Sequence, residues 1–288
     1  MKSNITTKKI VFLGPEGSYC ETAKNHFCSI INCTGCEHIY YSSIKKVIEY
    51  VAQNLDSVGV IPIENSIEGI VRETMDNLLK LENTSLQITA ETVVNINHCL
   101  ISKSDNISKI KTVLSHPQAL AQCQNTLHDI LNKFETIETS STSKAVKTLQ
   151  DFDYSYAAIG SEQSIKNTNL NILCENINDE PDNKTRFVLI SREHTNPTGA
   201  DKTSIVFSTK NEAGALVKVL NVFDALGVNL CYIDSRPSKK NLGEYVFFVD
   251  FEGHIEDEIT KEMMDKIKQH TAFVKVLGSF EKYQCNIT

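Results

Sequence analysis

The feature that most constrains the fold is an alternation of short apolar strands with amphipathic helices. It runs through the first two thirds of the chain, breaks at a polar segment, and resumes in a different order. Lys9 to Leu13 reads as a strand ending in Gly14-Pro15-Glu16-Gly17-Ser18, and a helix is expected from about Tyr19 to Ile31. A strand at Glu37 to Tyr41 meets Ser42, a good N-cap, before a helix with apolar Ile44, Val47, Ile48 and Val51. Ser57 to Ile61 reads as a buried strand that stops at Pro62. This alternation predicts an α/β fold: a mostly parallel sheet with helices on its faces.

A second set repeats the theme. Leu86 to Leu100 is rich in β-branched residues, Lys111 to Leu114 is another strand, and Pro117 suits position N1 of a helix running to about Leu131. Strand Thr136 to Glu138, helix Ser143 to Leu149, strand Tyr156 to Ile159 and a helix after Ser161 follow, and the chain returns through Asn171 to Cys174 and Arg186 to Ile190. Two α/β lobes joined by two crossings predict a ligand cleft between them. Arg192 to Asp201 is polar, contains Pro and Gly, and has no periodicity, so it reads as a linker. Beyond it, strand Thr203 to Ser208, helix Gly214 to Leu226, strands Asn229 to Asp234 and Glu244 to Phe251, helix Asp257 to Gln269 and strand Ala272 to Ser279 give the order βαββαβ of a ferredoxin-like domain.

At 288 residues the chain is long for one core, which agrees with two domains. A formal charge of −7 without a lysine-rich run argues against nucleic-acid binding, so positive potential for an anionic ligand must be supplied locally. No apolar run reaches the length of a membrane span, and Met1 to Ile10 has no secretory apolar region; a reducing, cytoplasmic setting is expected. The nine cysteines, odd in number and without framework spacing, read as free thiols. Cys28, Cys33, Cys36 and His38 offer four zinc-ligand types, but their spacing matches no zinc motif; the reading is no metal, with Cys28 on the buried side of a helix and Cys36 and His38 opening a strand.

Arginine is scarce: the chain has four against twenty-five lysines. Two of the four fall in distinctive stretches, Asn183-Lys184-Thr185-Arg186-Phe187 and Asp234-Ser235-Arg236-Pro237. A guanidinium grips carboxylates through a planar fork that lysine does not reproduce. The first stretch therefore reads as handling a carboxylate substrate and the second as part of a regulatory site.

With these motifs placed, the chain resembles, almost end to end, the prephenate dehydratases that carry a C-terminal ACT domain. The resemblance rests on Gly14-Pro15-Glu16-Gly17-Ser18-Tyr19, Pro62-Ile63-Glu64-Asn65-Ser66-Ile67-Glu68-Gly69, Ser115-His116-Pro117-Gln118-Ala119-Leu120, Asn178-Asp179 with Asn183 and Thr185-Arg186-Phe187, Gly214-Ala215-Leu216 and Ser235-Arg236-Pro237, in that order and spacing. It implies a two-lobed, periplasmic-binding-protein-like catalytic region with a central cleft at 1–195, its second lobe at about 97–172, and an ACT domain at 202–288. It also implies decarboxylative dehydration of prephenate to phenylpyruvate for phenylalanine biosynthesis, inhibition by L-phenylalanine, no metal or organic cofactor, and homodimers or homotetramers paired through ACT domains. The chain departs from the family in reading Gly17-Ser18-Tyr19-Cys20 where Gly-Thr-Phe-Ser is usual, and in placing Asp234 where Glu precedes Ser-Arg-Pro.

Prephenate carries two carboxylates and a ring hydroxyl, and losing carbon dioxide and hydroxide together makes its ring aromatic. By the resemblance, Thr185 hydrogen-bonds the leaving oxygen, an assistance usually worth roughly 10²–10⁴ in rate. Asn65 and Gln118 join the catalytic set, with Glu64 orienting Asn65. Gly17, Ser18, Ser66, Ser115, Arg186 and Phe187 are expected around the substrate. Alternation along a strand sends Thr185 and Arg186 to opposite faces, which leaves direct ligation by Arg186 open; Phe187 either packs in the core or walls the substrate. His116 reads as a satisfied loop histidine. Gly214, Ala215, Leu216, Asn229, Leu230, Ser235, Arg236 and Pro237 are the expected phenylalanine site. Arogenate dehydratase, whose substrate bears an amine in place of the keto group, and a non-catalytic anion-binding module with an amino-acid sensor remain alternatives.

Overall fold

The structure, a computed structural model, describes residues 7–33, 35–81, 85–166, 168–238 and 245–283. The first lobe opens with β1 (Lys9–Leu13), α1 (Tyr19–Ile30), β2 (Glu37–Tyr41), α2 (Ile44–Gln53), β3 (Ser57–Asn65), β4 (Gly69–Ile70), α3 (Arg72–Leu79) and β5 (Gln87–Asn95). The second contains β6 (Cys99–Ser102), β7 (Thr112–Ser115), α4 (Pro117–Gln122), α5 (Gln124–Ile130), β8 (Glu135–Glu138), α6 (Thr142–Thr148), β9 (Tyr156–Gly160) and β10 (Asn171–Cys174). Then β11 (Lys184–Ser191) returns to the first lobe. The C-terminal domain is β12 (Asp201–Ser208), α7 (Ala215–Ala225), β13 (Leu230–Pro237), β14 (Tyr245–Glu252), α8 (Glu258–His270) and β15 (Phe273–Glu281).

Sheet order in the first lobe is β2-β1-β3-β11-β5, with β4 on β3. The strands β2, β1 and β3 run parallel, whereas β11 is antiparallel to both neighbours, so the expected mostly parallel sheet is mixed. The reason is topological: β5 and β11 are the segments that leave for the second lobe and come back. That lobe has order β10-β6-β9-β7-β8, and the C-terminal domain is an antiparallel sheet of order β13-β14-β12-β15.

Several local expectations are corrected. Pro62 does not end β3; it lies inside the strand opposite Phe187, where the β11 pairing shifts register and tolerates a missing N–H. Leu86 to Leu100 is not one strand, because residues 96–98 form a crossing between sheets. The helix after Pro117 breaks at Cys123 into α4 and α5, and the segment after Ser161 is a single 3-10 turn, Glu162–Ile165. The cap of α2 is Ser43, whose Oγ accepts from Lys46 N–H, and not Ser42. Cys33 and Cys36 form a disulfide, their Cα atoms 5.7 Å apart, which corrects the free-thiol reading; the other six described cysteines are free. Cys28 Sγ lies 3.9 Å from His38 Nε2, and no group of three or more metal-ligand side chains among the described residues is arranged to hold an ion.

The first sheet is covered differently on its two faces. One packs on α1 through Phe12, Phe27, Val94, Ile96, Phe187 and Leu189. The other packs on α2 and α3 and on the C-terminal sheet in a single apolar cluster that includes Ile88, Val188, Ile190, Val206, Phe248, Leu277 and Phe280. Residues Thr185, Phe187 and Leu189 of β11 thus face α1, and Arg186, Val188 and Ile190 face the C-terminal domain, as a period of two dictates. That domain keeps its own core, Ile205, Phe207, Val219, Phe223, Phe251 and Met263, between its sheet and helices.

Candidate active site

Two crossings connect the lobes and are tied to each other. Ile96 N–H donates to Asn183 O at 2.8 Å, His98 N–H donates to Asn178 Oδ1 at 2.7 Å, and Asn178 Nδ2 donates to Ile96 O at 2.9 Å. Beside this junction the C-terminal end of β3 meets the start of β11, pairing Asn65 with Thr185. Ligand sites in α/β sheets commonly form at such strand ends.

Asn65 has a fixed orientation. Its Oδ1 accepts from the backbone N–H groups of Ile67 and Glu68, each at 3.0 Å, and backbone amides can only donate, so Nδ2 must face the other way. There it donates to Asn183 Oδ1 at 2.8 Å, to Lys184 O at 3.2 Å and to Thr185 Oγ1 at 2.9 Å. Because Thr185 Oγ1 accepts this bond, its own hydrogen is available to a further acceptor. Asn183 continues the chain, donating from Nδ2 to Gln122 Oε1 at 3.2 Å. His98 Nε2 approaches the same oxygen at 3.4 Å, and Gln122 Nε2 donates to Glu68 Oε1 at 3.4 Å. Asn65, Asn183, Gln122 and Glu68 therefore close a ring that joins the first lobe, the crossing and the second lobe.

Burial shapes the electrostatics. His98 is held neutral, its pKa lowered to about 4 by desolvation that the Gln122 hydrogen bond only partly opposes. With Nε2–H facing Gln122, His98 Nδ1 is left toward Tyr19 Oη at 3.4 Å, while the Tyr19 hydroxyl donates to Asn97 O at 2.5 Å. Desolvation also raises the Tyr19 phenol far above its usual range. Apart from Glu68 the network is made of neutral amides, hydroxyls and an imidazole. On the opposite rim Gly17, with φ +78°, approaches the second lobe so closely that a Cβ would lie 3.1 Å from Ser164 Cα. Ser161 Oγ donates to Gly17 O at 2.9 Å. Ser18, the N-cap of α1, holds its buried hydroxyl beside the Cys20 thiol, and the buried hydroxyl of Thr22, one turn on, has no hydrogen-bond partner among the described residues. Ser66 Oγ latches onto the crossing, donating to Asp182 O and accepting from Lys184 N–H at 2.9 Å.

Other expected site residues lie elsewhere. Glu64 and Arg186 pair with each other on the sheet face turned to the C-terminal domain, at 3.2 Å, so Glu64 does not orient Asn65 and Arg186 is committed to protein carboxylates. Phe187 is 2% exposed in the core against α1, too deep to wall a ligand. The Gln118 side chain is exposed; one turn on, Gln122 is the glutamine that joins the hydrogen-bonded ring. Ser115 is fully buried and its Oγ donates to Ile159 O, bracing β7 on β9. His116 caps α4 by accepting from Gln118 N–H. Sequence reasoning missed Gln122, His98 and Tyr19 as members of the network; a second glutamine at i+4 was the available signal for the first.

In the C-terminal domain, Gly214 caps α7 in a left-handed conformation, φ +77°, and with Ala215, Leu216, Lys210 and Tyr245 lines a cavity of about 230 Å³. Ser235 and Pro237 are exposed on β13, an edge strand of its sheet, and Asn229 is exposed just before it. Arg236, expected to close an effector site, instead docks on α3, its Nη1 2.9 Å from Arg72 O and 2.8 Å from Asp76 Oδ1.

A two-lobed α/β region whose polar ring crosses between the lobes, followed by a ferredoxin-like domain, defines the architectural class of the chain. Residues 10–195 match the family model of prephenate dehydratase and 203–268 that of the ACT domain. The chain belongs to the prephenate dehydratase family. It is 42% identical to the prephenate dehydratase of Methanocaldococcus jannaschii, over 95% of this chain and 98% of that one. It is 42% identical to the bifunctional chorismate mutase/prephenate dehydratase of Aquifex aeolicus, over 95% of this chain and 74% of that one. The solved structure of the Arthrobacter aurescens prephenate dehydratase in complex with L-Phe superposes with a TM-score of 0.85 at 32% identity, covering 95% of this chain and 90% of that one.

Proposed function

We propose that the cleft converts prephenate to phenylpyruvate with loss of carbon dioxide and water, with Thr185 as the donor to the departing ring hydroxyl. One observation carries this: Asn65 Nδ2 donates to Thr185 Oγ1, which frees the threonine hydrogen for the leaving oxygen. A threonine is too weak an acid for full proton transfer near neutral pH, so the bond polarises C–O as negative charge grows on that oxygen in the transition state. Neutral donors around the substrate suit the reaction, because a carboxylate that must depart as carbon dioxide gains nothing from a tight ion pair. Ser18 and Thr22 place hydroxyls for the dianion beside the N-terminus of α1, whose amides favour anions. The test is turnover of prephenate followed by phenylpyruvate absorbance, with arogenate as competing substrate. Thr185→Ala is expected to lower kcat roughly 10²-fold or more with little change in KM, and Thr185→Ser to retain more. Wild-type kinetics in both would make Thr185 structural.

The same reading divides the chain into a catalytic region at 1–195, with a second lobe near 97–172, and a regulatory domain at 202–288. L-phenylalanine is its effector, held at the N-terminus of α7 beside Gly214, Ala215 and Leu216, with Leu230, Ser235 and Pro237 of β13 and Asn229 just before it completing the site. The edge of β13, unpaired among the described residues and with Cys231, Ile233, Ser235 and Pro237 exposed, supports pairing of two such domains into a homodimer or a homotetramer. No helix among the described residues is long and apolar enough to cross a membrane, and a cytoplasmic setting fits the biosynthetic role.

A further inference from the structure

On the face of β11 opposite the active site, Arg186 sits in a cluster that neither the reaction nor effector binding uses. Its Nη1 lies 2.5 Å from Asp250 Oδ2 on β14 of the C-terminal domain and 3.3 Å from Glu91 Oε2 on β5, and its Nε lies 3.2 Å from Glu64 Oε2 on β3. Lys202, on β12, reaches back to Glu91 at 2.8 Å, and Ser204 Oγ donates to the other Asp250 oxygen at 2.6 Å. Glu91 and Asp250 are only 5% and 4% exposed, so each would be costly to leave unpaired. Burial disfavours the guanidinium charge, yet Asp250, Glu91 and Glu64 together outweigh it and raise the Arg186 pKa. Three carboxylates share two cations here, and Arg186 Nε and Nη2 have no aligned acceptor. The guanidinium is therefore held by carboxylates from β3, β5 and β14, the last of them on the C-terminal domain.

What makes this consequential is adjacency. Thr185 and Arg186 are consecutive on one strand, and Glu64 and Asn65 are their register partners on the next. The groups that hold Arg186 and Glu64 against Asp250 are thus one peptide unit from those that place Thr185 and Asn65 at the cleft. Asp250 is in turn paired across β13 with Tyr232, three residues before Ser235, and the Tyr232 ring lies 5.9 Å from the Arg186 guanidinium.

We infer that Arg186 is a positioning residue for Thr185, and that Asp250 carries the setting of the regulatory domain to it. The inference rests on the reading of the cleft and effector given above. A ligand that reshapes the β13–β14 edge alters how Asp250 meets Arg186, and the catalytic hydroxyl follows. Effector binding and effector inhibition become separable at this cluster, since Asp250 and Arg186 lie outside the cavity at the start of α7.

The experiment uses the full chain and compares wild type with Asp250→Asn and Ser204→Ala. Phenylalanine binding is measured by calorimetry, and prephenate kinetics are measured with and without phenylalanine. Asp250→Asn is expected to bind phenylalanine within about threefold of wild type yet to lose inhibition about tenfold or more at equal occupancy, within the usual range of a coupling. Its kcat should fall about tenfold with KM nearly unchanged, since a small misplacement of a reacting group is enough. Ser204→Ala keeps every charge in place and should show the same two effects more weakly, which guards against a variant that folds poorly. Normal inhibition at equal occupancy together with normal kcat in both variants overturns this inference alone. No prephenate turnover by the unaltered chain overturns it together with the reading it rests on.

Discussion

Gly278 on β15 offers the sharpest check on how the two domains meet. A Cβ built there would fall 2.1 Å from Ile88 O, 2.7 Å from Ile88 N and 2.8 Å from Ile88 C. The obstacles are backbone atoms of β5, which cannot swing aside as a long side chain would. Both strands have irregular pairing at this point, between Ser204 and Ile205 opposite β15 and between Leu189 and Ile190 opposite β5, so the close approach is built into both sheets. Carbon contacts are favourable near 3.5 Å, so Gly278→Ala requires the sheets to separate locally by about 1.4 Å, or the backbone to distort. Overpacking of this kind costs about 1–3 kcal/mol. The shared cluster would loosen with it, because Ile88, Leu277 and Phe280 belong to one contiguous core. Thermal unfolding of the full chain should show a Tm lower by several degrees, at about 2–4 °C per kcal/mol. Wild-type phenylalanine affinity with weakened inhibition should accompany it, as the effector cavity lies away from β15. A Tm within a degree of wild type, with inhibition intact, would refute the direct docking of β15 on β5.

Gln122→Ala should lower kcat/KM about tenfold or more by releasing Asn183 and His98 from one acceptor, while Gln118→Ala, exposed on the same helix, should stay within about twofold in parallel steady-state assays. His98 makes stability depend on pH: its folded pKa of about 4 lies below the ordinary 6.5, so its contribution is full above pH 6.5 and is lost as pH falls toward 4, by up to about 3 kcal/mol. Urea melts at pH 7 and 4.5 should show a smaller acid loss in His98→Gln than in wild type. Ser235→Ala should abolish phenylalanine inhibition and leave uninhibited turnover nearly unchanged, read from dose–response curves on prephenate; equal sensitivity would move the effector site off β13.

Much of this architecture can be read without coordinates because it is local. The spacing of Ile44, Val47, Ile48 and Val51 makes α2, and all four are buried. The order βαββαβ follows from periodicity alone. What escapes is polar pairing between distant segments: Asn65 and Asn183 are 118 positions apart, and Gln122 and Asn183 are 61 apart. A glutamine at 118 or at 122 looks equally suitable from sequence, since both lie on one face of α4, and only the tertiary contacts of Gln122 with Asn183 and His98 show which one lies at the junction. The helix α3 escapes for another reason. Its buried side consists of Thr74, Met75 and Leu78 alone, too short a stripe to stand out from the turn before it.

The arginines show where a sound physical rule meets missing information. A guanidinium reserved for carboxylates is a fair deduction in a chain with so few arginines, and two of them do hold carboxylates. The partners are protein groups: Arg186 reaches from the catalytic sheet to Asp250, 64 positions on, and Arg236 reaches back from the regulatory domain to Asp76. Composition cannot tell a substrate carboxylate from an aspartate on another domain, since the fork fits both. The strand period does tell which face each residue takes, and on β11 it separates Thr185 from Arg186 before any coordinate is known. Once the second domain is seen to cover the Arg186 face, that residue is removed from the cleft, and the cleft must hold its dianion with hydroxyls, amides and a helix N-terminus. The same step makes one strand serve two sites, its odd residues in the catalytic lobe and its even residues against the regulator. Arg186, paired with Asp250 of the C-terminal domain, is separated from Thr185 by a single peptide bond.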